Sequence, residues 1–270
     1  MPSSTPAILL VAFGSLEPRA LATYDMLRER YQQAFPGSEV RLAFTSGLMR
    51  RRLAERQSIS FPGPLAALAE MHDLGCKSAI LQSLQIVPGE EFHGLASLVS
   101  GLRTARGSLA FERLEVGFPL LAGLEDCRRA SSALAPRRGE VVAAAGAVVL
   151  VGHGTGHPAD SLYSLMDDVL QEDHINVFLG TLKGFRGAED LAARLRSCEA
   201  RKVHLWPFLL VAGGHAVHEI AGDDPASWKS ILEREGFDVQ VHLQGLAEND
   251  EIVAIFLEHT RRAMTQPERI

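Results

Sequence analysis

The residues of this chain best suited to chemistry are two histidines set among glycines. His153 lies in Gly152-His-Gly-Thr-Gly-His157, and His215 lies in Val211-Ala-Gly-Gly-His-Ala-Val-His218. Each follows an apolar run, so each imidazole is expected at the carboxyl end of a buried strand. The flanking glycines let the backbone turn tightly and leave room above the ring. Glu91, at the end of Val87-Pro-Gly-Glu-Glu91, is placed in the same way. Two imidazoles and a carboxylate make a borderline-soft, partly open donor set, suited to cobalt, nickel, zinc or ferrous iron. An imidazole with a pKa near ~6.5 can also accept a proton at neutral pH. His218 is expected beside such a site rather than in it, and His93 on a helix surface. The glycines around His153 lack the Walker lysine and the dinucleotide spacing, which argues against a nucleotide loop. A G-x-S-x-G elbow, which a hydrolase reading would need, is missing.

The segments that must position these residues come in pairs. Ala7-Ile-Leu-Leu-Val-Ala-Phe-Gly-Ser15 returns as Ala147-Val-Val-Leu-Val-Gly-His-Gly-Thr155, an offset of 140 that sets Phe13 opposite His153. The run from Ile80 to Glu91 aligns with that from His204 to His215, an offset of 124 that sets Glu91 opposite His215. A third pair, Ala43-Phe-Thr-Ser-Gly47 and Gly180-Thr-Leu-Lys-Gly184, sets Ser46 opposite Lys183. Strands are expected at 8–13, 39–45, 78–87 and 114–118, then at 147–152, 176–181, 203–211 and 238–243. Helices are expected at 18–33, 64–74, 90–106, 160–172, 188–198, 226–235 and 249–264. This alternation specifies an α/β protein: two similar Rossmann-like or flavodoxin-like domains, with parallel sheets flanked by helices and a cleft between the domains. The expected domains are 1–138 and 139–270. Leu134 to Ala145 is read as the linker, and the final helix, 249–264, is free to pack on the N-terminal half.

The 270 residues carry a net charge of −6, which leaves no global basic surface for nucleic acid. The basic runs at Arg50–Arg52 and Arg137–Arg138 read as solvated faces or linker, with anion contact as the alternative. Apolar runs are all shorter than the roughly 20 residues that span a bilayer, so no membrane role is expected. The N-terminus lacks a basic leader, so a cytoplasmic location is expected, although a trimmed periplasmic form would look the same. The three cysteines, Cys76, Cys127 and Cys198, are widely spaced and read as reduced thiols.

The ordered set of segments resembles the anaerobic-pathway sirohydrochlorin cobaltochelatases, class II chelatases with a chelatase-like fold. The carrying segments are Val11-Ala-Phe-Gly-Ser15, Ala43 to Gly47, Gln82 to Glu91 and Gly117-Phe-Pro-Leu-Leu121 in the first half. In the second half they are Gly152-His-Gly154, Leu209 to Ala216, Asp223-Asp-Pro-Ala-Ser-Trp-Lys229 and Gly245-Leu-Ala-Glu-Asn249. The resemblance implies a lyase of cobalamin biosynthesis that inserts cobalt(II) into sirohydrochlorin, with the metal as substrate and no organic cofactor. It implies metal ligation by His153, His215 and Glu91, with His153 and Glu91 catalytic. Phe13, Ser46, Lys183 and Arg186 are the expected substrate contacts. Some relatives carry a glutamate where this chain has Lys183, whose ammonium would pair with a substrate carboxylate instead. Two alternatives stay open: ferrous iron as the metal, giving sirohaem, and a metal or tetrapyrrole carrier without turnover. A homo-oligomer is compatible with all three.

Overall fold

The computed structural model describes residues 5–139, 146–174 and 176–265. Two compact units divide the chain. One comprises Met1–Leu120 with Ala254–Ile270, and the other Leu121–Val253. The chain passes from one unit to the other between Leu120 and Leu121 and returns between Val253 and Ala254.

The first unit is built on four parallel strands, β1 (Ala7–Ala12), β2 (Val40–Phe44), β3 (Ser78–Ser83) and β4 (Arg113–Gly117), in the order β2-β1-β3-β4. Ile8, Leu9, Leu10 and Val11 are fully buried. Both faces of the sheet are therefore covered, which is why β1 reads as an unbroken apolar run rather than an alternating one. Helices α1 (Pro18–Ala34), α2 (Gly47–Gln57), α3 (Pro64–Asp73) and α4 (Glu90–Leu102) connect the strands. The second unit repeats the plan. After α5 (Leu124–Gly139), strands β5 (Gly146–Gly152), β6 (Val177–Thr181), β7 (Lys202–Pro207) and β8 (Asp238–Val241) form a parallel sheet in the order β6-β5-β7-β8. Its helices are α6 (Ser161–Asp173), α7 (Ala188–Ser197) and α8 (Trp228–Arg234), and α9 (Asp250–Thr265) ends the described chain.

The ladder register reproduces the internal repeat residue for residue. Ile8 pairs with Val40 and Ile80, and Val148 pairs with Val177 and His204. The three offsets, 148 − 8 = 140, 177 − 40 = 137 and 204 − 80 = 124, are those of the three aligned segment pairs.

Three expectations need correction. The apolar runs 78–87 and 203–211 were each expected as one strand, but β3 and β7 stop at Ser83 and Pro207. Beyond these residues the chain leaves the ladder as a buried loop. Leu84 and Phe208 donate to Val11 and Val151, at 2.9 and 2.7 Å. The arginine run 50–52 lies on a helix, α2, whose only buried residue is Leu53; so narrow an apolar stripe gives little period to detect. Residues 134–139 of the expected linker belong to α5, and 140–145 lie outside the described residues.

The last helix shows how a distant segment is fixed. Asn249 caps α9, accepting from Glu251 N and Ile252 N, and its amide donates to Ala133 O at 2.8 Å. Further on, within the first unit, Thr260 Oγ1 donates to Gln82 Oε1 at 2.8 Å and lies 3.2 Å from Tyr31 Oη. Gln82 is fully buried, and its amide donates to Ser83 O and Phe118 O. A buried amide with every site satisfied specifies one docking of the helix, because any shift leaves unpaired groups.

Candidate functional site

His153 stands at the first residue after β5. Its loop is tied to the loop after β6 by two backbone bonds, Leu182 N to Gly152 O and Lys183 N to His153 O, both 2.9 Å. The first unit makes the equivalent bonds, Thr45 N to Ala12 O and Ser46 N to Phe13 O. Two glycines make this crossing feasible. Gly152 has Tyr163 against it, where a Cβ would come within 2.6 Å of the ring. Gly154 has φ +72° and lies so near the next loop that a Cβ would be 2.3 Å from Gly184 N. Asp160 completes the frame. Its two carboxylate oxygens accept Thr155 N at 2.9 Å and Phe185 N at 3.0 Å.

His215 opens a single-turn π-helix, His215–Ile220, closed by Ala221 N donating to Ala216 O. Such turns recur at functional sites because they re-aim side chains from the regular helical path. The His153 and His215 rings lie 4.7 Å apart, centroid to centroid, at 70°. Both use Nδ1 elsewhere. His153 Nδ1 is 2.7 Å from Gly154 O, and His215 Nδ1 contacts the Glu219 carboxylate. A carbonyl or ionised carboxylate only accepts, so both Nδ1 atoms carry a proton, and the tautomer this selects in a neutral ring has its lone pair on Nε2. Burial holds the His153 imidazole below its ordinary ionisation range. The Gly154 carbonyl opposes this, the neighbouring His215 and Lys183 add to it, and Glu219 opposes it. In the neutral form each ring therefore presents Nε2 as a nitrogen donor.

The other expected residues are placed as follows. Lys183 is exposed on the loop tied to His153. Arg186 is turned onto α6, pairing with Asp167 and lying 3.8 Å from Asp168. Asp167 is fully buried and also accepts Arg194 Nη1 and Leu179 N, both at 2.8 Å. The Arg186 charge is therefore largely committed to holding its own loop. In the first unit, Phe13 is 46% exposed at the end of β1. Ser46 caps α2 by accepting Met49 N at 3.3 Å, which leaves its hydroxyl proton to donate. Glu91 is exposed in the first turn of α4, one residue before the buried Phe92. His218 and His93 are both exposed, and the His93 ring is edge-on to Phe92. Among the described residues, no three His, Cys, Asp or Glu side chains converge as a ready-made metal cage.

Two residues of this region escaped the sequence reading. Glu219 is spaced four residues from His215, which was the available signal. Phe185, 80% exposed between Lys183 and Arg186, is an aromatic ring on a loop fixed by Asp160. The cysteines are free thiols, and burial followed by the Asp126 charge pushes the Cys127 thiol up to about 11. No helix among the described residues is long and apolar enough to cross a membrane.

The chain is similar to known proteins along nearly its whole length. The sequence model of the family described as "Cobalt chelatase (CbiK)" matches residues 6–265. Sirohydrochlorin cobaltochelatase CbiKC of Nitratidesulfovibrio vulgaris is 37% identical over 265 residues, covering 98% of this chain and 93% of that protein. The sirohydrochlorin cobaltochelatase of Salmonella typhimurium is 32% identical over 259 residues, covering 96% of each. Among solved structures, SirB from Bacillus subtilis with Fe3+ is similar with a TM-score of 0.68 at 15% identity, over 97% of this chain and 96% of that one. At that identity the likeness is one of fold.

Proposed function

The chain belongs to the cobalt chelatase (CbiK) family, and on that premise we propose that it inserts cobalt(II) into sirohydrochlorin. The observation that carries the proposal is the imidazole pair, with both Nδ1 atoms bonded elsewhere and the rings 4.7 Å apart. Insertion exchanges one dication for two pyrrole protons, so charge balances only if the site handles both metal and protons. The Nε2 lone pairs of His153 and His215 are suited to hold cobalt(II) next to the macrocycle. Once the metal passes to the pyrrole nitrogens, a released imidazole can accept a pyrrole proton. A two-nitrogen set holds the metal without a closed cage, which suits an ion that must leave.

The remaining roles follow from charge and exposure. Glu91 supplies a carboxylate that offsets metal charge or relays protons. Lys183, exposed beside His153, is the cation for a carboxylate of the substrate. Arg186 acts at one remove, by fixing the loop that carries Lys183. Phe13 offers an exposed ring for the macrocycle face, and Ser46 a hydroxyl donor. Cobalt over iron is the reading that two cobaltochelatase relatives above 30% identity support. Donor type alone does not select it, because a nitrogen/oxygen site binds nickel and copper more tightly than cobalt.

The test is metallation of sirohydrochlorin by cobalt(II), followed by absorbance, at protein concentrations far below substrate. Many equivalents converted faster than in the protein-free control are expected. One bound equivalent without turnover would make the chain a carrier.

A further inference from the structure

We infer that Glu219 is a positioning residue for metal delivery: its carboxylate accepts the Nδ1 proton of His215 and so keeps His215 Nε2 as the free donor facing the His153 side of the site. The inference rests on the reading of His215 as a metal-handling group.

Three observations carry it. The contact between His215 Nδ1 and Glu219 Oε1 is direct, and it spans the single π-turn that begins at His215. That turn is fixed at its end, where a Cβ on Gly222 would come within 2.3 Å of His218 O. Among the described residues no Lys or Arg pairs with Glu219, so its carboxylate is left to accept from the imidazole Nδ1. The internal repeat supplies the third observation. In the first unit the position equivalent to His215 is Glu91, and the position equivalent to Glu219 is 219 − 124 = 95. Leu95 of α4 stands there, buried in the core against the first sheet. The carboxylate is present in the half that has the imidazole and replaced by a leucine in the half that does not.

The chemistry gives this pairing a purpose. An imidazole in solution is free to exchange tautomers and to rotate, and either change removes Nε2 from the metal. A carboxylate behind Nδ1 prevents both and makes Nε2 a stronger donor. His153 obtains the same tautomer from a backbone carbonyl, Gly154 O. The two histidines are thus fixed by different acceptors, and only that of His215 is a side chain open to substitution. The competing reading is an exposed i,i+4 pair with no role beyond the helix surface; the side chains are 39% and 46% exposed.

The test uses the full chain and two variants, Glu219→Ala and Glu219→Gln. Glutamine keeps an oxygen that can accept Nδ1–H but loses the charge. Cobalt(II) binding is measured without tetrapyrrole, by titration of the ligand-field spectrum, and the His215 tautomer is read from imidazole nitrogen NMR of the metal-free protein. Glu219→Ala is expected to weaken cobalt(II) binding about 10–100-fold, to release the Nδ1–H tautomer, and to raise the KM for cobalt more than it lowers kcat. Glu219→Gln is expected to retain the tautomer and most of the affinity. In a His215→Ala background, Glu219→Ala should add nothing. If His215→Ala weakens cobalt(II) binding while Glu219→Ala leaves affinity and tautomer unchanged, the positioning role is overturned and the His215 reading stands. If His215→Ala itself binds cobalt(II) like the parent, both fall.

Discussion

At the scale of single residues, the proposed chemistry depends on two imidazoles being neutral and oriented. Removing either Nε2 takes away a metal donor and a proton acceptor. His153→Ala and His215→Ala are each expected to lower kcat/KM by about 10²–10⁴-fold, the range of a lost acid–base group, with unchanged far-UV circular dichroism. Burial also gives His153 a signature in stability. Its native-state pKa lies below the ordinary value, whereas the unfolded chain takes up that proton near ~6.5. Below that pH the unfolded state binds more protons than the native state. This contribution is therefore fully present above about pH 6.5 and is lost as pH falls toward the native-state pKa. Urea midpoints of the metal-free protein should decline over that window, and His153→Gln should flatten the decline. Lys183→Ala is expected to raise the KM for sirohydrochlorin with little change in that for cobalt(II); equal changes in both would assign Lys183 to the metal instead. The two histidines were legible in the sequence because a polar ring between glycines, just past an apolar run, is poor core filler. Glu219 was not, because a glutamate four residues from a histidine looks the same on any exposed helix.

At the scale of elements, the site is positioned by loops pressed together at glycines. Gly154→Ala would place a methyl 2.3 Å from Gly184 N at a φ of +72°. Clash and left-handed backbone together should cost about 1–3 kcal/mol, and the displaced crossing should slow metallation as well. A Gly154→Ala protein with parental stability and rate would contradict the account of how His153 is held. The strands were readable because parallel strands buried on both faces give continuous apolar runs, whereas the 16-residue α5 was not expected as a helix and its last residues read as linker. What was not readable was where those runs leave the ladder. The chain past Ser83 and past Pro207 stays buried without strand pairing, and burial is what hydrophobicity records. Helix α2 was missed for the opposite reason: with Leu53 its only buried side chain, it has no apolar stripe whose period could be read.

At the scale of the whole molecule, one duplicated plan has been put to unequal use. Both sheets share strand order, register and the backbone bonds that cross between their first two loops. At equivalent positions after the first and third strands of each sheet, one unit carries Phe13 and Glu91 and the other His153 and His215. The repeat was legible from three short segment pairs. The ownership of the last helix was not, because Thr260 and Gln82 are 178 residues apart and their pairing has no local signal. Thr260→Val keeps the shape but leaves Gln82 Oε1 without its donor. It should destabilise the protein by about 1–3 kcal/mol, seen as a lower denaturant midpoint, with the kcat of the folded protein unchanged. The central claim, that the imidazole pair drives insertion of cobalt(II) into sirohydrochlorin, is tested most directly by multiple-turnover metallation with the parent beside the His153→Ala, His215→Ala double variant. The account predicts many turnovers for the parent and, for a folded double variant, a rate no higher than the protein-free control. Parental turnover by the double variant would contradict it.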